Sequence, residues 1–192
     1  MKVKTVIEPA FEPITLADAK KHLRVDFADD DAYITSLITV ARQYAENRTW
    51  RAICAATYDA FFDSYGTEYL LPRPLCTGVN IVQYRNTSGT YTTINANDYY
   101  ADLEAIPAKV YLKLPKPQDF EPINGIKIRF TAGYANANIV PTSLKHAIRM
   151  IVSHFYENRE PVVIGRTATL EPKELPFGIE SLLDMSSLRR LY

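Results

Sequence analysis

Apolar residues recur at helical spacing in two long stretches, one toward each end of the chain. From about Asp30 to Trp50 the apolar positions are Ile34, Leu37, Ile38, Ala41, Tyr44 and Ala45. From Pro141 to about Asn158 they are Leu144, Ala147, Ile148, Ile151, Val152 and Phe155. Intervals of three and four residues place each set on one face, which predicts two amphipathic helices. The polar side of the first helix carries Arg42, Gln43, Glu46 and Asn47.

Two shorter helices complete the helical pattern. Thr15 and Asp18 have the spacing of a capping box, in which a hydroxyl and a carboxylate accept hydrogen bonds from free N–H groups. They predict a helix that runs to about Arg24, and a last helix is predicted from Ile179 to about Leu188. The polar, proline-marked residues 160–175 are predicted to form a loop, ordering on assembly.

Between residues 56 and 132 the period changes from helical to alternating. Lys109–Leu114 and Ile126–Phe130 alternate polar and apolar residues, as half-buried strands do. Val79–Tyr84 and Tyr91–Ile94 flank the turn-forming sequence Asn86-Thr87-Ser88-Gly89, which predicts a hairpin. Prolines between these segments mark edges and loops, because proline cannot donate to a β-ladder.

The order of elements predicts an α+β fold. A core of about four helices is interrupted by an inserted, mostly antiparallel β-subdomain. Residues 1–55 are assigned to an N-terminal arm and the first core helices. Residues 56–132 are assigned to the β-rich insertion, and residues 133–192 to the helices and tail that complete the core.

Composition restricts the class of protein further. Apolar residues make up 47% and charged residues 23% of the 192, a balance typical of folded globular chains. Lysine and arginine number 22, as do aspartate and glutamate, so the counts show no excess of positive charge for wrapping nucleic acid. No apolar run is long enough to span a bilayer, and the N-terminus lacks a signal-peptide core. We expect a cytosolic protein, or one assembled in a cytosol, whose Cys54 and Cys76 are buried and reduced.

The sequence Arg24-Val25-Asp26-Phe27-Ala28-Asp29-Asp30-Asp31 concentrates four carboxylates where a helix is predicted to begin. A calcium-binding loop would need a glycine at its sixth position and a glutamate at its twelfth. Counted from Asp26, these positions hold Asp31 and Leu37. We therefore interpret the run as a helix start, where Asp29 caps N–H groups and the next two acids face the positive end of the helix dipole.

No catalytic, cofactor-binding or metal-binding set of residues is predicted. His146 and His154 lie too far apart along one helix to bind the same metal ion. His154 and Glu157 have the i, i+3 spacing of di-iron bundles, but the second such pair is missing. Two other classes stay open: a small metal-dependent hydrolase using His154, Glu157 and the acidic run, and a DNA-binding packaging factor.

An assembly role is the third possibility, because tyrosine and arginine near helix ends suit protein–protein interfaces. The candidate interface residues are Tyr134, Tyr156, Glu157, Arg159, Arg189 and Arg190.

Several landmarks in order resemble the tailed-phage head–tail connector family, also called adaptor or head-completion proteins. The first is Thr131-Ala132-Gly133-Tyr134, followed by Val140-Pro141 and a helix ending in His154-Phe155-Tyr156-Glu157-Asn158-Arg159-Glu160. The others are Pro13–Val25, Arg51-Ala52, Leu71–Pro74 and Leu175–Leu183. The sequence departs from the family pattern at Trp50, where relatives often have glycine, and at residues 184–190.

The resemblance implies a helical connector core with a β-rich insertion and no enzymatic activity or cofactor. It implies an oligomeric ring, commonly a dodecamer, beneath the portal at the head–tail junction of the virion, assembled in the host cytoplasm. Portal protein, a downstream head-closure or tail protein and further copies of the chain are the implied partners. Double-stranded DNA is expected to pass through the ring without sequence-specific contacts, and no membrane is involved.

Overall fold

The computed structural model describes residues 1–159, 162–164, 170–172 and 177–188, which form two compact units. The β-unit contains Met1–Phe11 and Trp50–Ala135, together with a short segment from Leu188. The helical unit contains Glu12–Thr49 and Asn136–Ser187. Each unit thus joins segments that are distant in the sequence.

Helices and antiparallel sheets are both present, which confirms the predicted α+β class. The helices are α1 (Leu16–Leu23), α2 (Asp31–Thr49), α3 (Thr142–Glu157) and α4 (Phe177–Met185). The strands are β1 (Lys2–Ile7), β2 (Ala56–Phe62), β3 (Glu68–Leu70), β4 (Cys76–Arg85), β5 (Tyr91–Thr93), β6 (Tyr99–Asp102), β7 (Lys109–Leu112), β8 (Ile126–Ala132), β9 (Val162–Ile164) and β10 (Leu170–Pro172). None of the described helices has both the length and the hydropathy needed to span a membrane.

Two antiparallel sheets form the β-unit. Five strands are ordered β1-β2-β8-β4-β5 and three are ordered β3-β7-β6. In β8 the residues at alternate positions, Ile126, Ile128, Phe130 and Ala132, are fully buried and the residues between them are not. The predicted alternation of β8 is therefore confirmed, as is the hairpin of β4 and β5, because one face of the sheet packs into the core.

The strand β1 was not anticipated from the sequence. It pairs antiparallel with β2 at the edge of the five-stranded sheet, and all six of its residues are exposed. A strand that buries no side chain has no one-sided hydrophobic pattern to reveal it. Its lysines and the shift in register between Thr5 and Ile7 are features that protect a sheet edge from further pairing.

The apolar stripes of α2 and α3 supply the core of the helical unit. Its fully or almost fully buried side chains include Ile34, Ile38, Ala41, Leu144, Ile148, Ile151, Ile179 and Leu183. The capping box at α1 forms as predicted: the Thr15 hydroxyl accepts from the Asp18 N–H at 3.0 Å, and the Asp18 carboxylate accepts from the Thr15 N–H at 3.3 Å. Pro141 is the residue before α3 rather than its first residue.

The expected polar side of α2 is partly buried, which corrects the sequence interpretation. Arg42 is only 5% and Glu46 6% exposed. The Arg42 Nε donates to Glu12 at 2.8 Å and its Nη1 donates to Glu46 at 3.0 Å. The spacing of apolar residues along α2 placed Arg42 and Glu46 on the solvent side. It could not show that Glu12, which precedes α1, pairs with Arg42 in addition to Glu46 and so allows these charges to be buried.

Every charged residue of α2 is paired within the helical unit. Besides Arg42 and Glu46, Asp31 pairs with Lys20 and Arg48 pairs with Asp184. The exposed positions of α2 are uncharged: Ala32, Thr35, Ser36, Val40, Gln43 and Asn47. The outer face of this helix therefore carries no formal charge.

The predicted loop over residues 160–175 is wrong for the six of these residues that the structure describes. β9 and β10 pair antiparallel, with Leu170 opposite Ile164 and Pro172 opposite Val162. Strands of three residues are too short to give a period-2 pattern, although the run Val162-Val163-Ile164 has the β-branched composition of a strand.

Replacing Arg42 with alanine is expected to lower the free energy of unfolding by about 2–4 kcal/mol, because the buried Glu46 carboxylate loses its cation. Urea unfolding followed by far-ultraviolet circular dichroism measures this loss. Gln43→Ala, on the exposed face of the same turn, is the matched control and should change the value by less than about 0.5 kcal/mol. Equal losses for the two variants would show that the Arg42 network contributes no specific stability.

Candidate interaction surface

Two of the four carboxylates in the acidic run, those of Asp30 and Asp31, pair with basic and hydroxyl groups from α1, from the end of α3 and from the residues just after it. Lys20 reaches across from α1, donating to Asp31 at 2.5 Å and to the Phe27 carbonyl at 2.7 Å. Asp30, the residue before α2, accepts from groups at the end of α3. The interpretation of the run as a helix start is confirmed, because α2 begins at Asp31. The capping role of Asp29 stays a prediction, and the sequence did not reveal the partners of Asp30 and Asp31.

Four residues form a compact group at this point, the Asp30 cluster: Asp30, Tyr33, Tyr156 and Arg159. One oxygen of Asp30 accepts from the Tyr156 hydroxyl at 2.5 Å and from Arg159 Nη2 at 3.1 Å. The Arg159 guanidinium lies 4.9 Å from the Tyr33 ring centroid and 5.3 Å from that of Tyr156. The cluster thus joins the beginning of α2 to the end of α3 by charge, hydrogen bonding and cation–π contact.

The hydrogen bond to Asp30 raises the pKa of the Tyr156 phenol, because the carboxylate stabilises the protonated hydroxyl. Burial and the negative charge of Asp30 act in the same direction, and the positive charge of Arg159 opposes them. Tyr156 is therefore held as a neutral hydrogen-bond donor.

A cleft of about 420 Å³ lies on the other side of α3, and all three histidines of the chain line it. We name this the histidine cleft; its lining includes His22, His146, Met150, His154, Glu157 and Ile179. The rings of His22 and His146 meet edge to face, with centroids 6.4 Å apart. Burial lowers the pKa of His22, as do His146 and Arg149, while Glu157 acts in the opposite direction.

Tyr134 lies in the β-unit, where its backbone is fixed by hydrogen bonds to the segment that follows α2. Its N–H donates to the Ile53 carbonyl at 3.1 Å, and its carbonyl accepts from the Ala55 N–H at 3.0 Å. The preceding Gly133 has a φ of +110°, and a Cβ there would lie 2.5 Å from the Cys54 carbonyl oxygen, so only glycine fits. The Tyr134 hydroxyl accepts from Arg51 Nη1 at 3.4 Å.

The structure therefore distributes the candidate interface residues over different places. Tyr156 and Arg159 come together in the Asp30 cluster, whereas the exposed Glu157 faces the histidine cleft. Arg189 and Arg190 lie outside the described residues. The interface role of these residues stays a prediction. His22 was missed because only tertiary packing brings α1 beside the two histidines of α3.

Three of the carboxylates invoked for a metal-dependent hydrolase, those of Asp30, Asp31 and Glu157, are engaged in other contacts. Asp30 and Asp31 pair with cations of the protein, and Glu157 accepts from Ser153 at 3.4 Å. In the part of the chain that the structure describes, no group of three or more His, Cys, Asp and Glu residues has the geometry to hold a metal ion. Cys54 and Cys76 are buried free thiols, as expected, and burial raises the pKa of Cys76.

Comparison with known proteins gives a family and a fold. The model of a family described as Phage gp6-like head-tail connector protein matches residues 13–185. No curated protein matches the sequence.

Three solved chains share the fold. One is from the neck of an empty gene transfer agent (GTA) particle computed with C6 symmetry, with a TM-score of 0.77 and 22% identity. Another is from the virion of a native GTA particle, with a TM-score of 0.75 and 22% identity. The third is from the neck of a native GTA particle computed with C12 symmetry, with a TM-score of 0.74 and 21% identity. Each alignment covers 97% of this chain and 95% of the other.

Asp30→Asn and Tyr156→Phe are each expected to destabilise the helical unit, and the double variant should lose less than the sum of the two. The reason is that Tyr156→Phe removes the donor of the shared hydrogen bond and Asp30→Asn removes the charge of its acceptor, so each single loss includes the same charge-assisted interaction. Urea unfolding of the four proteins in this cycle measures the coupling. Asp26→Asn, in the same acidic run, is the control and should leave stability unchanged. Strictly additive losses would contradict the cluster.

The histidine cleft is expected to make stability depend on pH just below neutrality. Because the folded-state pKa of His22 lies below its ordinary value of 6.5, the unfolded chain takes up a proton there first. The free energy of unfolding should therefore fall as the pH is lowered from 6.5 through the folded-state pKa. His22→Asn should lose less stability than the parent between pH 7.5 and 5.5, measured by urea unfolding. Ala17→Ser, exposed on α1 and non-titrating, should behave as the parent; identical curves for all three would contradict this assignment.

Proposed function

Because the matched residues span most of its length, the chain belongs to the Phage gp6-like head-tail connector family, and we propose that it is a ring-forming structural subunit of a phage head–tail junction. The family match over residues 13–185 is the observation that carries this proposal. In the proposed role the ring, commonly a dodecamer, docks beneath the portal and offers its other side to a head-closure or tail protein. The protein acts by assembly rather than catalysis, in the host cytoplasm and then in the virion.

Ring assembly is supported by the particles in which the similar solved chains are found. The similar chains come from particle necks computed with C6 and C12 symmetry. A ring of identical subunits needs two different surfaces on each subunit that fit each other, so that each contact is head-to-tail and the series closes. The helical unit presents more than one such surface, namely the neutral outer face of α2, the Asp30 cluster and the histidine cleft.

Passage of DNA is supported by the distribution of charge. Each additional contact of a lysine or arginine with a phosphate strengthens binding to DNA. Many such contacts would retain a duplex that has to slide through the ring. The chain has equal numbers of basic and acidic residues, and the charged residues of α2 are paired inside the helical unit. A surface of this kind gives a passing duplex few sites at which to bind.

The proposal predicts that the purified protein associates weakly on its own and forms a ring on portal particles. Mixing it with purified portals and imaging by electron microscopy should reveal added ring density on one side of the portal. Capsid particles that lack a portal vertex are the matched control and should remain undecorated. Absence of added density at saturating protein would contradict the proposed function.

The same preparations test the other two classes. Elemental analysis should find no stoichiometric metal, and a gel-shift assay at low salt should find no stable complex with duplex DNA. Stoichiometric metal with hydrolytic activity, or salt-sensitive DNA binding without portal binding, would favour the hydrolase or the packaging factor respectively.

A further inference from the structure

We propose that the few phosphate contacts this chain offers to a passing duplex are made by the outer face of its five-stranded sheet. This inference rests on the proposed function, because it names the surface that the DNA meets inside the ring. We call this surface the basic face; its charged members on β1, β2 and β8 are Lys2, Lys4, Asp59, Lys127 and Arg129.

The register of the strands places these side chains on one side of the sheet. Two rows run across β1, β2 and β8: Lys2, Phe61, Lys127 and Lys4, Asp59, Arg129. Directly paired residues point to the same side of a sheet, and successive residues along a strand point to opposite sides. Ile128 and Phe130 of β8 are fully buried in the core, so the two rows lie on the side away from it.

The four cations of the basic face are spaced so that a short stretch of DNA can meet all of them. Neighbouring strands lie about 4.8 Å apart, so the backbones at Lys2 and Lys127, two strands apart, are separated by about 10 Å. The two rows are two residues apart along the strands, which is about 7 Å. Duplex DNA carries one negative charge per about 1.7 Å of its axis, so a segment that crosses this area presents several phosphates to it.

The one acid in the two rows is already engaged within the face. Asp59 is 6% exposed, and its two oxygens accept from Arg129, from Nε at 2.7 Å and from Nη2 at 2.9 Å. Among the residues that the structure describes, Lys2, Lys4 and Lys127 form no ion pair. Four cations and one carboxylate leave the two rows with three positive charges in excess.

Acids that follow these strands lie beyond the strand ends, at the rim of the face. Glu8 follows β1, and Asp63 follows β2 and accepts from the Asn124 N–H at 3.0 Å. Glu121 has a cation beside it, because its N–H donates to the Arg85 carbonyl at 2.9 Å. These acids confine the positive charge to the two rows, which limits a duplex to a few contacts.

The composition of the face favours a phosphate backbone over a protein partner. The polar positions on the same side of the sheet include Thr57, Gln83, Thr93 and Thr131. Hydroxyl and amide groups, with lysine and arginine, are the side chains that bind DNA phosphates. Protein interfaces are instead depleted in lysine and have an apolar centre. The larger apolar members of this face are only partly exposed, namely Phe61, Ile81 and Tyr91.

One of the lysines is held in position before any ligand arrives. The Lys127 Nζ lies 4.3 Å from the centroid of the Tyr91 ring, and the Tyr91 hydroxyl donates to the Asn124 carbonyl at 3.0 Å. A cation placed over a fixed ring loses little freedom when it binds a phosphate.

So few contacts give weak binding, as passage requires. Each phosphate that the protein neutralises adds about −0.9 to the slope of the logarithm of the binding constant against the logarithm of salt concentration. Three unpaired lysines therefore predict a slope of about −3 for one subunit. Such a complex dissociates during gel electrophoresis, whereas its equilibrium can be measured in solution at low salt.

Fluorescence anisotropy of a labelled DNA duplex, titrated with the full chain at several low salt concentrations, tests the contact. Lys2→Gln, Lys4→Gln and Lys127→Gln should each weaken binding and reduce the magnitude of the salt slope by about 1. The triple variant should lose most of the binding. The matched control is the combination of Lys21→Gln, Lys113→Gln and Lys116→Gln, three exposed lysines outside the face, and it should bind as the parent does. Circular dichroism checks that every variant is folded.

Two results would overturn the DNA contact in solution. One is a parent protein with no measurable binding at low salt, and the other is a control triple variant that loses as much binding as the face triple variant. A labelled polyglutamate peptide is titrated in parallel and should bind more weakly than the duplex. Equal affinity for the peptide, with the same losses in the face variants, would assign the face to an acidic protein and overturn the DNA contact.

The two levels of proposal fail differently. Rings that form on portals from a protein with no lysine-dependent DNA binding would overturn this contact and leave the connector function standing. DNA binding through the basic face by a protein that forms no ring on portals would overturn the connector function and leave the assignment of the face standing.

Discussion

The burial of the apolar stripes of α2 and α3 is the constraint on which the helical unit depends. Each buried branched side chain contributes about 1.5–3 kcal/mol by leaving water, so the stripes dominate the energetics of these helices. Once they are buried, the rotation of each helix about its axis is fixed. Tyr156 must then point toward the start of α2, and Glu157 toward α1 and α4. The surfaces available for assembly thus follow from the core.

Many of the charged side chains of the helical unit form ion pairs within that unit. Four carboxylates lie within six positions, and Lys20 of α1 and Arg159, just after α3, pair with two of them. Arg42 and Glu46 pair beneath the surface, together with Glu12. The result is a helix, α2, that contains four charged residues yet has an uncharged outer face. The exposed positions of this helix therefore lack the solvated ions that a polar helix face usually presents.

Membership of the connector family gives these features a common purpose. The family whose model matches residues 13–185 is one of structural connectors, and in this chain several helix ends and loops are held in fixed positions. The capping box at Thr15, the Asp30 cluster and the hydrogen bond from Lys20 to the Phe27 carbonyl each tie a helix end or a loop to a neighbouring element.

The amino-acid sequence by itself determined the elements whose side chains are buried on one side. The predicted stripes of α2 and α3 and the alternation of β8 are confirmed, because burial on one side follows the period of the helix or strand. The capping box of α1 is confirmed because it depends only on the spacing of Thr15 and Asp18. Elements without one-sided burial, such as β1, or too short for a period, such as β9 and β10, left no such pattern.

Only the tertiary structure decided which distant residues meet. Three contacts join residues at least thirty positions apart in the sequence: Glu12 with Arg42, Asp30 with Tyr156 and Arg159, and His22 with His146. Side-chain type and spacing along one element carry no information about which face of another element packs opposite. That choice is made when the apolar stripes combine into one core, because only then do the polar groups at their borders acquire neighbours.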